Sequence, residues 1–79
     1  MQPSRPDLEV LLSPSEYKVL ELASQGLTNA RVAAQLGVTV HTIKFHLVSI
    51  YRKLHVSNRT EAAAVFLTAR SARPQGGSA

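Results

Sequence analysis

Thr39–His55, TVHTIKFHLVSIYRKLH, is the stretch whose reading decides the fold. Within it Ile43, Leu47, Ile50, Tyr51 and Leu54 recur at i, i+4, i+7, i+8 and i+11, one stripe of a helix with a 3.6-residue period. The opposite side carries His41, Phe45, Val48, Ser49 and Arg52, with Lys44, His46 and Lys53 at its margins. An ordinary solvent-facing side would carry Glu and Lys. This one has no acid, several cations, two histidines and two bare apolar side chains. Such a face suits a polyanion that also offers methyl groups, and the major groove of double-stranded DNA is that kind of surface.

The flanking residues punctuate further helices. Thr39 is the N-cap of the long helix, and Val38 before it can staple onto Ile43. Upstream, Thr28 caps a short helix with an apolar stripe of Val32, Ala33 and Leu36, and Gly37 stops it. A short helix, a tight glycine turn and a longer amphipathic helix make a helix-turn-helix pattern, whose second helix enters the major groove. Further back, Ser13 and Glu16 form a capping box around Pro14 at the first helical position, with Leu12 placed to staple onto Tyr17. Val19, Leu20, Leu22 and Ala23 are that helix's buried side. Gly26 ends it in a left-handed conformation, which lets Leu27 fold back onto Leu22.

Downstream, His55 takes the reversal position after the long helix; His is among the non-glycine types that tolerate positive φ. Ser57 or Asn58 then caps a last helix with Ala62, Val65, Phe66 and Ala69 toward the core and Ala63, Ala64 and Leu67 to one side. The expected fold is all-α, a four-helix bundle containing a helix-turn-helix, with helices at about 14–25, 29–36, 40–54 and 58–70. Residues 1–11, broken by Pro3 and Pro6, read as a flexible arm or linker, with Leu8, Val10 and Leu11 its candidates for packing across the core. Residues 71–79 read as a disordered tail with nothing to bury.

Composition narrows the function. Seventy-nine residues make one small domain. Without cysteine there is no disulfide or thiolate metal site, and a reducing cytoplasm is the expected setting. No apolar run is long enough to span a bilayer, so no membrane partner is expected. The net charge of +4 is unevenly spread. Residues 28–70 hold Arg31, Lys44, Arg52, Lys53, Arg59 and Arg70 against Glu61 alone, an electrostatic footprint for nucleic acid.

The residues quoted so far resemble the LuxR/GerE-type helix-turn-helix, the C-terminal domain of NarL/FixJ response regulators and quorum-sensing activators. The carriers are Leu12-Ser13-Pro14 with Glu16, Val19-Leu20 with Leu22-Ala23, Gly26 with Thr28-Asn29, and Val32-Ala33 with Leu36-Gly37-Val38. They continue through Thr42-Ile43-Lys44-Phe45-His46, Ile50 with Lys53-Leu54, and Val56 with Arg59-Thr60-Glu61-Ala62. The resemblance covers Leu12 to Arg70. It implies sequence-specific DNA binding by a bacterial transcription regulator, dimerisation on DNA through the last helix, and no cofactor. It places Lys44 at a base or nearby phosphate, Phe45 and Val48 at base edges, and Thr28 and Asn29 near a phosphate. His46, Lys53 and Arg59 fall near the backbone. Three positions depart from the pattern. Ala30-Arg31 adds positive charge, Val48 stands where a polar residue is common, and His55 replaces a glycine. The family's usual sensing domain lies outside these residues, so the chain is read either as a stand-alone regulator or as part of a longer one.

The candidate DNA-binding residues are therefore Thr28, Asn29, Arg31, Thr39, His41, Thr42, Lys44, Phe45, His46, Val48, Ser49, Arg52, Lys53 and Arg59. Ala63, Ala64 and Leu67 are the candidates for a weak homodimer, and RNA polymerase is a further candidate partner. Phe45 and Val48 are expected against thymine methyls or sugars, and Arg52 and Lys53 against phosphates. His41, His46 and His55 are spaced by five and nine, not the three or four of a helical zinc site, so no metal is expected. No catalytic apparatus is visible, and an enzyme is not expected. Two rivals share parts of this pattern. A sigma-factor-like promoter reader shares the hairpin, but Thr28-Asn29 and Arg59-Thr60-Glu61 favour the LuxR type. A helical protein-interaction adaptor anchored by Phe45 and Val48 would show little salt dependence and no affinity for duplex DNA.

Overall fold

A computed structural model of the chain describes residues 7–72. It consists of α1 (Leu8–Leu11), α2 (Pro14–Ser24), α3 (Asn29–Leu36), α4 (Val40–Leu54) and α5 (Arg59–Ala72), with no strand among the described residues. None of these helices is long and apolar enough to cross a membrane.

The expected caps form. Ser13 Oγ accepts the Glu16 amide at 3.1 Å while Glu16 Oε1 accepts the Ser13 amide at 2.9 Å, closing the capping box of α2. Thr28 Oγ1 accepts the Arg31 amide and Thr39 Oγ1 the Thr42 amide. At α5, Asn58 supplies the cap, accepting the Glu61 amide at 2.9 Å, and the Glu61 carboxylate takes the Ser57 amide at 2.7 Å. Gly37 (φ 72°) and His55 (φ 59°) end α3 and α4 in the left-handed conformation. In both, the following amide reaches back five residues, Val38 to Ala33 and Val56 to Tyr51, so late carbonyls of each helix are satisfied.

Besides one-residue shifts at the end of α2 and the start of α5, the two ends of the chain differ from expectation. The segment read as a flexible arm contains α1, whose Asp7 cap accepts the Glu9 amide and whose Leu8 is buried. The prolines at 3 and 6 precede the cap and so do not oppose a helix that begins after them. Residues 1–6 lie outside the described residues. At the other end α5 runs on to Ala72, two residues into the expected tail; residues 73–79 lie outside the description.

The core is one cluster. Val19, Leu20 and Leu22 of α2, Val32 and Ala33 of α3, Ile43, Leu47 and Ile50 of α4, and Ala62 and Phe66 of α5 converge, and Leu8 and Leu12 close one end. Phe66 meets the Tyr17 ring edge-on at 5.6 Å between centroids. The two-turn α3 could not persist alone in water; burial of Val32 and Ala33 holds it against its neighbours.

One charged side chain sits in this apolar interior. Glu16 is 6% exposed. Besides capping α2, its carboxylate accepts Ser49 Oγ at 2.7 Å and Lys53 Nζ at 2.8 Å, both from α4. Burial pushes the carboxyl up, but the hydrogen bonds from Lys53, Ser49 and the Ser13 amide, with the Lys53 charge, outweigh it and hold Glu16 down from 4.5 to about 2.

These local geometries have measurable consequences. A methyl group added at Gly37 would meet nothing within 4 Å, so Gly37→Ala suffers backbone strain alone and should cost about 1 kcal/mol. His55→Gly should shift stability the other way by about 0.5–1 kcal/mol, read as a rise of several degrees in melting temperature. A carboxyl held low in the folded state contributes stability that is complete above its unfolded value and lost as pH falls from about 4.5 through about 2. Full conversion gives about 3 kcal/mol, and exposure at the Lys53 end reduces it to about 2. Glu16→Gln should destabilise the domain by about that amount near neutral pH and flatten the acid limb of its denaturation profile.

Candidate nucleic-acid interface

α4 is held on three sides, by α2, α3 and α5. Its remaining side is a line of exposed residues, His41, Phe45, Val48 and Arg52, at i, i+4, i+7 and i+11. Phe45 is 70% exposed and Val48 53%. Lys44 lies exposed beside them. Nothing in the fold calls for an apolar pair there, since the core stripe of Ile43, Leu47 and Ile50 faces the other way. At the start of the helix Val38 and Val40 are also substantially exposed around the Thr39 cap.

Charge is sorted around this face. Arg31 of α3 and Lys44 and Arg52 of α4 are all exposed. Glu9, Glu21 and Glu61 belong to α1, α2 and α5, and Asp7 caps α1. The carboxylate nearest to α4, Glu16, is enclosed and neutralised by Lys53. The exposed side of α4 therefore presents positive charge with no acid of its own.

The fourteen expected binding residues divide into two groups. Lys44, Phe45, Val48, His41 and Arg52 share the outer face of α4, and Arg31 is exposed on α3. Thr28 and Thr39 cap their helices and remain exposed, while Thr42 is half-buried with its hydroxyl 3.0 Å from that of Thr39. The others are engaged inside the protein. Ser49 and Lys53 bind Glu16, so these side chains fix α4 on α2, although Lys53 keeps 41% of its side-chain surface exposed. Arg59 Nη1 donates to Asn29 Oδ1 at 3.1 Å, and Arg59 Nη2 to the carbonyl oxygens of Leu27 and Ala23. That guanidinium ties the start of α5 to the end of α2 and the start of α3. His46 is half-buried in a shallow hollow of about 310 Å³ with Pro14, Ser15, Lys18 and Val38, away from the outer line.

Two features of the structure escape a reading of the sequence. There Glu16 is visible only as a cap; the polar pair Ser49 and Lys53, four residues apart and flanking the apolar stripe of Ile43, Leu47 and Ile50, is the available sign that a buried acid meets them. The side of α5 bearing Ala64 continues into an apolar groove of about 420 Å³, lined also by Leu11, Leu54, Val65, Thr68 and Ala69. Leu67 is exposed beside Ala64, and Ala63 is half-buried. Leu11 and Leu54 come from distant parts of the chain, so no local pattern joins them to α5.

The chain matches, over residues 10–66, the family described as bacterial regulatory proteins, luxR family. It is 41% identical over 63 residues to the two-component response regulator PprB of Pseudomonas aeruginosa, covering 80% of this chain and 22% of that protein. It is 44% identical over 57 residues to the quorum sensing-dependent regulator RpaR of Rhodopseudomonas palustris, covering 72% and 24%. The nitrate/nitrite response regulator NarP of Escherichia coli is 36% identical over 63 residues, covering 80% and 29%. The chain thus spans about a quarter of the length of these relatives. The crystal structure of the response regulator ChrA from a heme-sensing two-component system superposes with a TM-score of 0.70 at 39% identity, over 87% of this chain and 32% of that one. The chain belongs to the luxR family of bacterial regulatory proteins, and its α3–turn–α4 unit is the helix-turn-helix of that family's DNA-binding domain.

Proposed function

We propose that this domain binds double-stranded DNA with α4 in the major groove, as the DNA-reading part of a transcription regulator acting at the bacterial nucleoid. The observation that carries the reading is the outer line of α4. It joins exposed cations to two exposed apolar side chains on a helix that the core has no need to leave bare. Lys44, Phe45 and Val48 meet base edges. Arg52, Arg31 and His41 meet phosphates and set the register, as backbone contacts do. Thr28, at the start of α3, keeps its hydroxyl proton for a phosphate oxygen while its oxygen accepts the Arg31 amide. Ser49, Lys53, Asn29 and Arg59 act as positioning residues for the two helices.

Two copies on adjacent half-sites about 34 Å apart would place both α4 helices on one face of the duplex. The surface for that pairing is α5, with Ala63, Ala64 and Leu67 extended by the groove that Leu11 and Leu54 help to line. The patch is small against the ~1,000 Å² of a stable interface, so pairing belongs to the DNA-bound state. RNA polymerase is a partner for surfaces left free in that complex.

Selection from a randomised duplex pool at about 50 and 200 mM salt tests the reading. The expected result is a two-fold symmetric site whose affinity falls steeply with salt. Arg52→Ala should weaken all sequences alike and reduce the salt slope by about one, whereas Lys44→Ala should relax preference at particular positions. Leu67→Glu, at an exposed site, should lower cooperativity on the two-fold site and leave half-site affinity unchanged. Absence of duplex binding at low salt would overturn the reading and return the apolar pair of α4 to a protein partner.

A further inference from the structure

We infer that Phe45 and Val48 form a methyl-reading pair, so that this domain recognises its site chiefly through the C5-methyl groups of thymine on neighbouring base pairs. The inference rests on the DNA-binding reading and specifies its chemistry. From His41 to Arg52 the outer line of α4 runs for about 16 Å at 1.5 Å per residue. A straight helix of that length touches the floor of the major groove only near its middle, because the duplex curves away and brings phosphates to the two ends. The middle of the line is Phe45 and Val48, and the ends are an imidazole and a guanidinium.

The chemistry of the middle is restrictive. Adenine is read in the major groove by the paired donor and acceptor of Asn or Gln, cytosine by a carboxylate, guanine by Arg or Lys, and thymine by apolar contact with its methyl. The exposed centre of this face has no Asn, Gln, Asp or Glu. Ser49, the polar neighbour with a suitable hydroxyl, donates it to Glu16. What remains is one lysine, Lys44, for a guanine edge, and two apolar groups for methyls. Phe45 and Val48 stand about 4.5 Å apart along the helix axis, close to the ~3.4 Å step between base pairs, so the two reach adjacent pairs. Their exposures leave both with apolar surface to bury on contact.

The probe is the duplex recovered by selection, remade with deoxyuridine in place of each thymine in turn. Uracil keeps the pairing, the charge and the O4 acceptor of thymine and lacks only the methyl, so the protein itself is untouched. Two adjacent positions in each half-site should lose about fourfold in affinity per methyl removed. Placing 5-methylcytosine instead of cytosine at those positions should recover a similar factor. Phe45→Ala should bind the thymine and deoxyuridine duplexes alike at one of the two positions and Val48→Ala at the other, while Lys44→Ala keeps both discriminations. Equal binding of thymine and deoxyuridine duplexes by the unaltered domain, with salt-sensitive affinity retained, would overturn the methyl reading and leave DNA binding standing. Failure to bind any duplex would overturn both.

Discussion

The placement of α4 depends on one buried carboxylate. Glu16 joins three tasks in a single side chain: it closes the cap of α2, accepts the Ser49 hydroxyl and pairs with Lys53. An isolated charge in such a site would be expelled, because burial strongly disfavours the ionised form. Here three donors surround it, and the carboxyl is held low despite burial. Apolar contacts between α2 and α4 are tolerant of small slides and rotations, since Val, Leu and Ile side chains have no directional preference. Hydrogen bonds to Ser49 and Lys53, one helical turn apart, are not. They fix both the rotation of α4 about its axis and its height along α2, and that rotation decides which residues face outward.

A second polar clamp does the same for the rest of the unit. Arg59 reaches from α5 to the Ala23 carbonyl near the end of α2, to the Leu27 carbonyl in the connection that follows, and to Asn29 at the start of α3. The Ala23 carbonyl also accepts the Gly26 amide, and the Leu27 carbonyl lies in the connection between α2 and α3; a guanidinium carries several donors in a planar fork and so reaches both. The turn preceding α3 is thereby tied to α5. Basic residues in this domain thus have two occupations. Lys53 and Arg59 hold helices, while Arg31, Lys44 and Arg52 remain exposed. Total positive charge overstates the charge that is free to meet phosphates.

That division marks how far the sequence can be read. Helix starts and stops are legible because their causes are local. Ser13 with Glu16, Thr28, Thr39 and Asn58 cap by reaching three residues, and Gly37 and His55 reverse the chain by their own backbone preferences. The outer face of α4 is legible for the same reason, since helical period alone separates Phe45 and Val48 from Ile43 and Leu47. The partners of Glu16 and Arg59 lie 30 to 37 residues away in the chain and exist only once the helices have packed. In the sequence, Ser49, Lys53 and Arg59 therefore look like surface residues. The α1 helix is hidden for an opposite reason: two prolines dominate the look of the N-terminal segment, yet the helix begins after them, where Asp7 supplies its own cap.

Size sets the last constraint. On the proposed DNA-binding reading, one helix with a four-residue outer line would contact few bases and few phosphates, and each phosphate contact would weaken as salt rises. Discrimination within one half-site is correspondingly limited. Two linked copies multiply their affinities through effective concentration, without a new contact to DNA. A large apolar face on α5 would achieve that linkage in free solution, but in a domain of 79 residues it would also compete with the core for the same few large side chains. On the proposed pairing, a shallow surface built from Ala63, Ala64 and Leu67, with Leu11 and Leu54 lining the adjoining groove, would meet both demands: it leaves Phe66 and Ala62 to the core and would let duplex geometry decide when two copies meet.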